Sequence, residues 1–223
     1  MLHTRHIMNR AVGVRLPYLL ALPDDYEHNT NTYPLLLFLH GAGERGSDLQ
    51  AVRTQGLPRA LLNGLSLPFI VVAPQCPVND TWDHHRFGLT ALLDEIGSQY
   101  RVDPDRVYLT GLSMGGFGTF DLAQAFPERF AALAPVCGGV RRLADAPTTA
   151  RRLKSLPIWV FHGALDDIVP LAASEQIVDA LKAEGADVQF TVYPDKYHDS
   201  WTVTYDNPEL YTWFQKHRRG GHA

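Results

Sequence analysis

Between Leu109 and Gly118 the chain reads LTGLSMGGFG, one serine among four glycines at the point where an apolar run stops. Gly111-Leu112-Ser113-Met114-Gly115 is a G-x-S-x-G pattern. Placed between a strand and a helix, that pattern makes a sharp turn that pushes the serine out at the upper edge of a sheet. A serine hydroxyl is a weak nucleophile, so its chemistry needs a base to take the proton and an acid to orient that base. Downstream, WVFHGALDDIVP (159–170) carries an apolar run into an acidic loop holding Asp166 and Asp167, and YPDKYH (193–198) brings His198 just after the last apolar run. Serine, acid and histidine therefore occur in the chain order that one class of triad uses. A serine that merely caps a helix is the competing reading.

The elements that must position these residues alternate. Apolar runs of strand length occur at 35–39, 69–73, 107–110, 130–136, 158–161 and 188–193. Between them lie stretches of helical spacing: Leu89, Leu92, Leu93, Ile96 and Tyr100 share one face, as do Ala173, Ile177 and Leu181 before a capping Gly185. Strands alternating with helices imply parallel pairing through right-handed crossovers, and continuous apolar strands imply cover on both faces. The expected fold class is α/β, a mostly parallel sheet flanked by helices. Sites in such sheets collect beyond the carboxyl ends of the strands. Those positions are His40-Gly41-Ala42-Gly43, Gln75-Cys76-Pro77, Ser113, Cys137-Gly138-Gly139, Asp166-Asp167 and His198.

Length and composition narrow the function classes. A chain of 223 residues, 45% hydrophobic and 20% charged, fits one α/β domain over 1–223 with a core that needs no staples. Its formal charge of −4 offers no footprint for nucleic acid or an anionic membrane surface. No apolar run reaches the roughly 18 residues that span a bilayer. Arginines 5, 10 and 15 followed by the apolar residues 16–22 loosely imitate a signal peptide. The run is short, holds Pro17 and lacks a small-residue cleavage site, so it reads as a strand in a cytoplasmic protein. Cys76 and Cys137 are too few for a disulfide framework and read as buried thiols.

FLHGAGERGSD, VVAPQCP, VDPDRVYLTGLSMGGFGTFDLA, FHGALDDIVP and YHDSW together carry a resemblance. From Tyr33 to Lys216 the chain resembles the α/β-hydrolases, within them the esterase, phospholipase and predicted-peptidase group related to polyhydroxybutyrate depolymerases and feruloyl esterases. The resemblance implies the α/β-hydrolase fold, and the short segment from Val140 to Leu156 leaves no room for a large lid domain. It implies Ser113 as nucleophile, Asp166, in the pattern His-Gly-x-x-Asp-x-x-Val-Pro, as triad acid, and His198 as base, with Asp167 left to cap or solvate the loop. Backbone N–H groups of Met114 and Ala42 would form the oxyanion hole, with Gly43 as the alternative to Ala42. The implied activity is a cofactor-independent serine carboxylesterase acting on small, accessible short-chain, aryl or sugar esters. A serine peptidase of the same fold and a non-catalytic binding protein are the alternatives. Lys196 and Tyr197 stand where the family often has glycine before the histidine.

The remaining polar residues read as structural. His40 and His162 are expected as core histidines that order loops, and His3, His6, His28, His217 and His222 as solvated. Adjacent side chains diverge, so His84 and His85 should not share an ion, and no metal is expected. Trp82 either walls the substrate pocket, with Gly43 near it, or covers the core edge. Glu44, Arg45 and Asp48 are expected as a salt-linked loop, Phe117, Phe120, Leu122 and Phe126 as core, and Cys137 as a structural thiol, since no base accompanies it in its motif.

Overall fold

Continuous apolar strands need cover on both faces, and helices supply it in the computed structural model, which describes residues 2–9 and 14–220. Arg10 and His222 lie outside the described residues, as do the side chains of His3, Arg5, His6 and Arg15. The strands are β1 (Leu2–Asn9), β2 (Val14–Ala21), β3 (Tyr33–Leu39), β4 (Ile70–Pro74), β5 (Val102–Leu112), β6 (Ala132–Val136), β7 (Ile158–Gly163) and β8 (Val188–Tyr193). They form one sheet in the order β1-β2-β4-β3-β5-β6-β7-β8. From β4 to β8 every neighbouring pair is parallel, whereas β2 pairs antiparallel with both β1 and β4. This is a mostly parallel α/β-hydrolase sheet. Six strands thus present their carboxyl ends at one edge.

The helices are α1 (Gly56–Leu62), α2 (Arg86–Gln99), α3 (Met114–Ala125), α4 (Ala146–Leu153), α5 (Ala172–Ala183), α6 (Trp201–Tyr205) and α7 (Pro208–Gln215). One core packs Leu35, Leu37 and Leu39 of β3 with α2, α3, α4 and α5; the other packs Leu36 and Phe38 with α1, α6 and α7. All seven residues of β3 are buried, because it lies inside the sheet with helices over both faces. Between β6 and β7 stand only a short 3-10 turn (Leu143–Asp145) and α4, so no large lid covers the edge. Among the described residues no helix is long and apolar enough to cross a membrane.

Close approach at the end of β5 accounts for its glycines. Leu39 pairs with Gly111 across β3 and β5, and α3 starts immediately after Ser113. A Cβ on Gly115 would stand 1.9 Å from Leu39 O, and one on Gly111 would stand 2.4 Å from Gly115 O. Strand and helix meet with no space for a methyl group.

The loop after β3 is pinned from below. His40 is fully buried, and its Nε2 accepts the Cys76 N–H at 2.9 Å while Nδ1 donates to Gly41 O at 2.6 Å. Trp82, 1% exposed, donates its indole N–H to His40 O at 2.9 Å and packs edge-on against the His40 ring. Desolvation, only partly opposed by the bond to Gly41, lowers the His40 pKa to about 4.

Two outcomes test this account. Gly115→Ala should cost at least about 2 kcal/mol and lower Tm by about 5 °C or more, whereas Gly97→Ala, on an exposed turn of α2 with nothing near the new methyl, should gain a few tenths. Equal Tm values for the two variants would refute the contact with Leu39. Between pH 6.5 and 4 an unfolded histidine binds a proton that folded His40 refuses. Its contribution is therefore complete above pH 6.5 and declines by about 3 kcal/mol as pH falls toward 4. Unfolding free energy measured across that range should fall more steeply for the native chain than for His40→Gln; parallel curves would exclude a neutral buried His40.

Candidate active site

Ser113 begins where β5 ends and α3 begins, and its backbone takes φ 52° and ψ −116°, a conformation that non-glycine residues occupy only when held there. Its N–H donates to Val136 O at 3.0 Å and reaches Cys137 Sγ at 3.3 Å, so the end of β6 grips the turn. The hydroxyl lies 3.0 Å from His198 Nε2, and His198 Nδ1 lies 2.8 Å from Asp166 Oδ2. Since a carboxylate only accepts, Nδ1 carries the hydrogen and Nε2 is left to accept from Ser113. The structure thus joins three residues separated by up to 85 positions into one chain of hydrogen bonds.

Asp166 is saturated. Oδ1 accepts the N–H groups of Ile168 at 3.0 Å and Val169 at 2.8 Å, while Oδ2 faces both His198 and, at 3.2 Å, His162 Nε2. Burial alone would raise its pKa, but the bonds from His198, Val169 and Ile168 outweigh it and hold the carboxyl below its usual range. Asp167 has no place in this chain. His162 is fully buried and ties the acid loop to α5, through Ser174 Oγ at 2.7 Å and Val169 O at 2.9 Å. The base loop is tied to the acid loop through Leu165 N–H to Lys196 O at 2.9 Å. Tyr197 is 61% exposed, so a large residue before His198 needs no space inside the loop.

Met114 opens α3, ahead of the first hydrogen bond of that helix, Phe117 N–H to Ser113 O. Ala42 and Gly43 are exposed on the neighbouring loop after β3, and a Cβ on Gly41 would lie 3.6 Å from that of Ser113. The N–H groups expected for an oxyanion hole therefore belong to two segments that flank the serine. Thr81, Met114, Phe117 and Arg141 border a depression of about 360 Å³ beside it. Arg141 is braced between Asp83 at 2.6 Å and Asp121 at 3.1 Å, which balances its charge. Two other depressions, of about 280 and 370 Å³, lie at the amino ends of β4 and of β6 and β7, away from this edge.

Several expectations need correction. Of the two readings of Trp82, the structure bears out core cover rather than the pocket wall: it is buried and supports the His40 backbone. The loop after β3 is not salt-linked, since Arg45 donates to Ala42 O and Asp80 O, Asp48 accepts from Gln50 N–H, and Glu44 is buried with its pKa raised by desolvation. His84 and His85 do not diverge; in a 3-10 turn both rings reach the Asp80 carboxylate, at 2.6 and 2.9 Å, and the bond from His84 is the main reason the Asp80 pKa falls to about 2. Phe117 is half-buried at the rim of the depression rather than in the core. His217 packs edge-on against Trp213 instead of being solvated. Cys137 is fully buried as expected, and the fold, not its own motif, brings a base near it: one donor atom each from Cys137, Asp166 and His198 lie within 4.8 Å of one another. Its place after β6 was legible, but its contact with Ser113 depends on how β5 and β6 end together, which no local motif encodes.

The chain is similar to a thermostable esterase of known structure, at 34% identity and a TM-score of 0.83 over 98% of this chain and 63% of that one. A ferulic acid esterase superposes with a TM-score of 0.72 over 95% of each chain at 22% identity, a likeness of fold alone. Among curated proteins, a bifunctional acetylxylan esterase/xylanase of Neocallimastix patriciarum is 28% identical over 190 residues, covering 81% of this chain and 26% of that one. Poly(3-hydroxyalkanoate) depolymerase C of Paucimonas lemoignei is 29% identical over 132 residues, covering 52% and 30%. The chain thus spans less than a third of the length of these two curated relatives. Residues 80–209, more than half of the sequence and including Ser113, Asp166 and His198, match the model of one family. This chain belongs to the dienelactone hydrolase family.

Proposed function

We propose that the protein is a serine carboxylesterase working through an acyl-enzyme on Ser113, and the observation that carries this reading is the unbroken hydrogen-bond chain Ser113–His198–Asp166. His198 Nε2 takes the hydroxyl proton as Oγ attacks the ester carbonyl. Asp166, kept ionised by its four contacts, fixes the Nδ1–H tautomer and balances the imidazolium that forms. The Met114 and Ala42 N–H groups meet the oxyanion of the tetrahedral intermediate, the alcohol leaves with the proton from His198, and water then attacks the acyl-enzyme by the same route.

The depression bordered by Thr81, Met114, Phe117 and Arg141 receives one side of the ester. Its open form and mixed lining suit short acyl chains, aryl acyl groups or acylated sugars, and relatives named acetylxylan esterase/xylanase and poly(3-hydroxyalkanoate) depolymerase support an ester substrate. An amide reading rests on a 30% identical stretch of 120 residues shared with a dipeptidyl peptidase family member of Caenorhabditis elegans. Chromogenic esters graded by acyl length, run beside feruloyl, acetyl-sugar and peptide substrates, decide between the two; faster cleavage of peptides than of every ester would overturn the ester assignment.

Ser113→Ala should lower turnover by about a millionfold with the fold intact, because members of such a unit fail together. Asp166→Asn should cost about 10⁴ through the wrong imidazole tautomer. A fluorophosphonate probe should label the native chain and leave Ser113→Ala unlabelled. Retention of a tenth of native turnover by the alanine variant would end the proposal.

A further inference from the structure

We propose that the base of the triad doubles as an inhibitory site for a thiophilic divalent cation such as Zn²⁺, held by Cys137 Sγ, an Asp166 carboxylate oxygen and a His198 ring nitrogen. Among the described residues these are the only three cysteine, histidine or acidic side chains whose donor atoms all lie within 4.8 Å of one another. Donors on one tetrahedral zinc stand about 3.3–3.7 Å apart, with bonds of about 2.0 Å to nitrogen or oxygen and 2.3 Å to sulfur. With the ion in place of their 2.8 Å hydrogen bond, Asp166 Oδ2 and His198 Nδ1 part by about half an ångström and Cys137 Sγ closes on them.

Charge favours occupation. A thiolate and a carboxylate cancel a divalent cation, so no net charge is buried. Desolvation raises the Cys137 pKa, which leaves the free protein with a neutral thiol. On binding, the Sγ–H bond breaks, the Sγ–metal bond forms and the proton passes to solvent. The fully buried Ser200 hydroxyl already interacts with the Cys137 sulfur, where it can donate to a metal-bound thiolate. His198, with 18% of its side chain exposed, is the way in.

Bound at either ring nitrogen, the ion disables the base. On Nε2 it takes the lone pair that would receive the Ser113 proton; on Nδ1 it drives the hydrogen onto Nε2, with the same loss. This inhibitory consequence rests on the triad reading above, whereas the binding does not.

Cadmium is the probe, since a thiolate–Cd²⁺ bond gives an ultraviolet charge-transfer band whether or not the protein is active. Cys76→Ala leaves Cys137 as the one thiol of the chain and should show that band at one Cd²⁺ per chain; so should Ser113→Ala. Cys137→Ser should lose the band and bind about 100-fold more weakly, and the apparent affinity of the native chain should rise about tenfold per pH unit as one proton is released. Native hydrolysis should be inhibited by Zn²⁺ and restored by a chelator. No band in Cys76→Ala, or equal inhibition of native protein and Cys137→Ser, overturns the proposal. If no substrate is hydrolysed at all, the reading of Ser113 as nucleophile fails while the cadmium band still decides the site.

Discussion

A serine held at φ 52° is a strained residue, costing about 1–3 kcal/mol, and it persists only because the surroundings leave it no alternative. Those surroundings are specific. The Ser113 N–H is taken by the end of β6, Gly115 lies against the carbonyl of Leu39, and α3 continues at once into the buried core. Relaxing the turn would pull the helix off β3 or break the bond to Val136. The strain therefore belongs to the packing of three neighbouring parallel strands, and every other part of the site is placed relative to it.

The acid and base depend on the same register. Gly163 pairs with Tyr193 at the ends of β7 and β8, so the two loops leave the sheet side by side and exchange backbone hydrogen bonds. Asp166 is then oriented by its own loop: two N–H groups fix one oxygen before either imidazole reaches the other. A buried carboxylate without such donors would protonate. Here the donors keep it charged, and the charge aligns His198 toward Ser113.

Much of this was legible in the sequence because it follows from local rules. Continuous apolar runs marked the covered strands, and G-x-S-x-G between a run and a helical stretch marked the turn. The hairpin of β1 and β2 was only half legible: residues 16–22 read as a strand, but residues 2–9, HTRHIMN after Leu2, mix charge and apolarity at a sheet edge and make no continuous run. The polar start of β5, Asp103-Pro104-Asp105, hid five residues of strand for the same reason. Inside the site the limit is separation along the chain: the partners of Trp82, His85 and Cys137, which are His40, Asp80 and Ser113, lie 42, 5 and 24 positions away.

The loop after β3 shows how far that non-local support reaches. Its exposed tip, Ala42 and Gly43, makes few contacts of its own, so its position is inherited from buried groups: the His40 ring on Cys76, the Trp82 indole on His40 O, and Arg45 on Ala42 O and Asp80 O. Asp80 also draws in His84 and His85, and Trp82 begins the same 3-10 turn whose Asp83 braces Arg141 at the rim of the depression. An oxyanion donor is useful only if it need not reorganise when charge develops. On the proposed reading, a loop tip anchored through three separate buried or bridged groups meets that condition, and the residues that border the depression are fixed by the same turn.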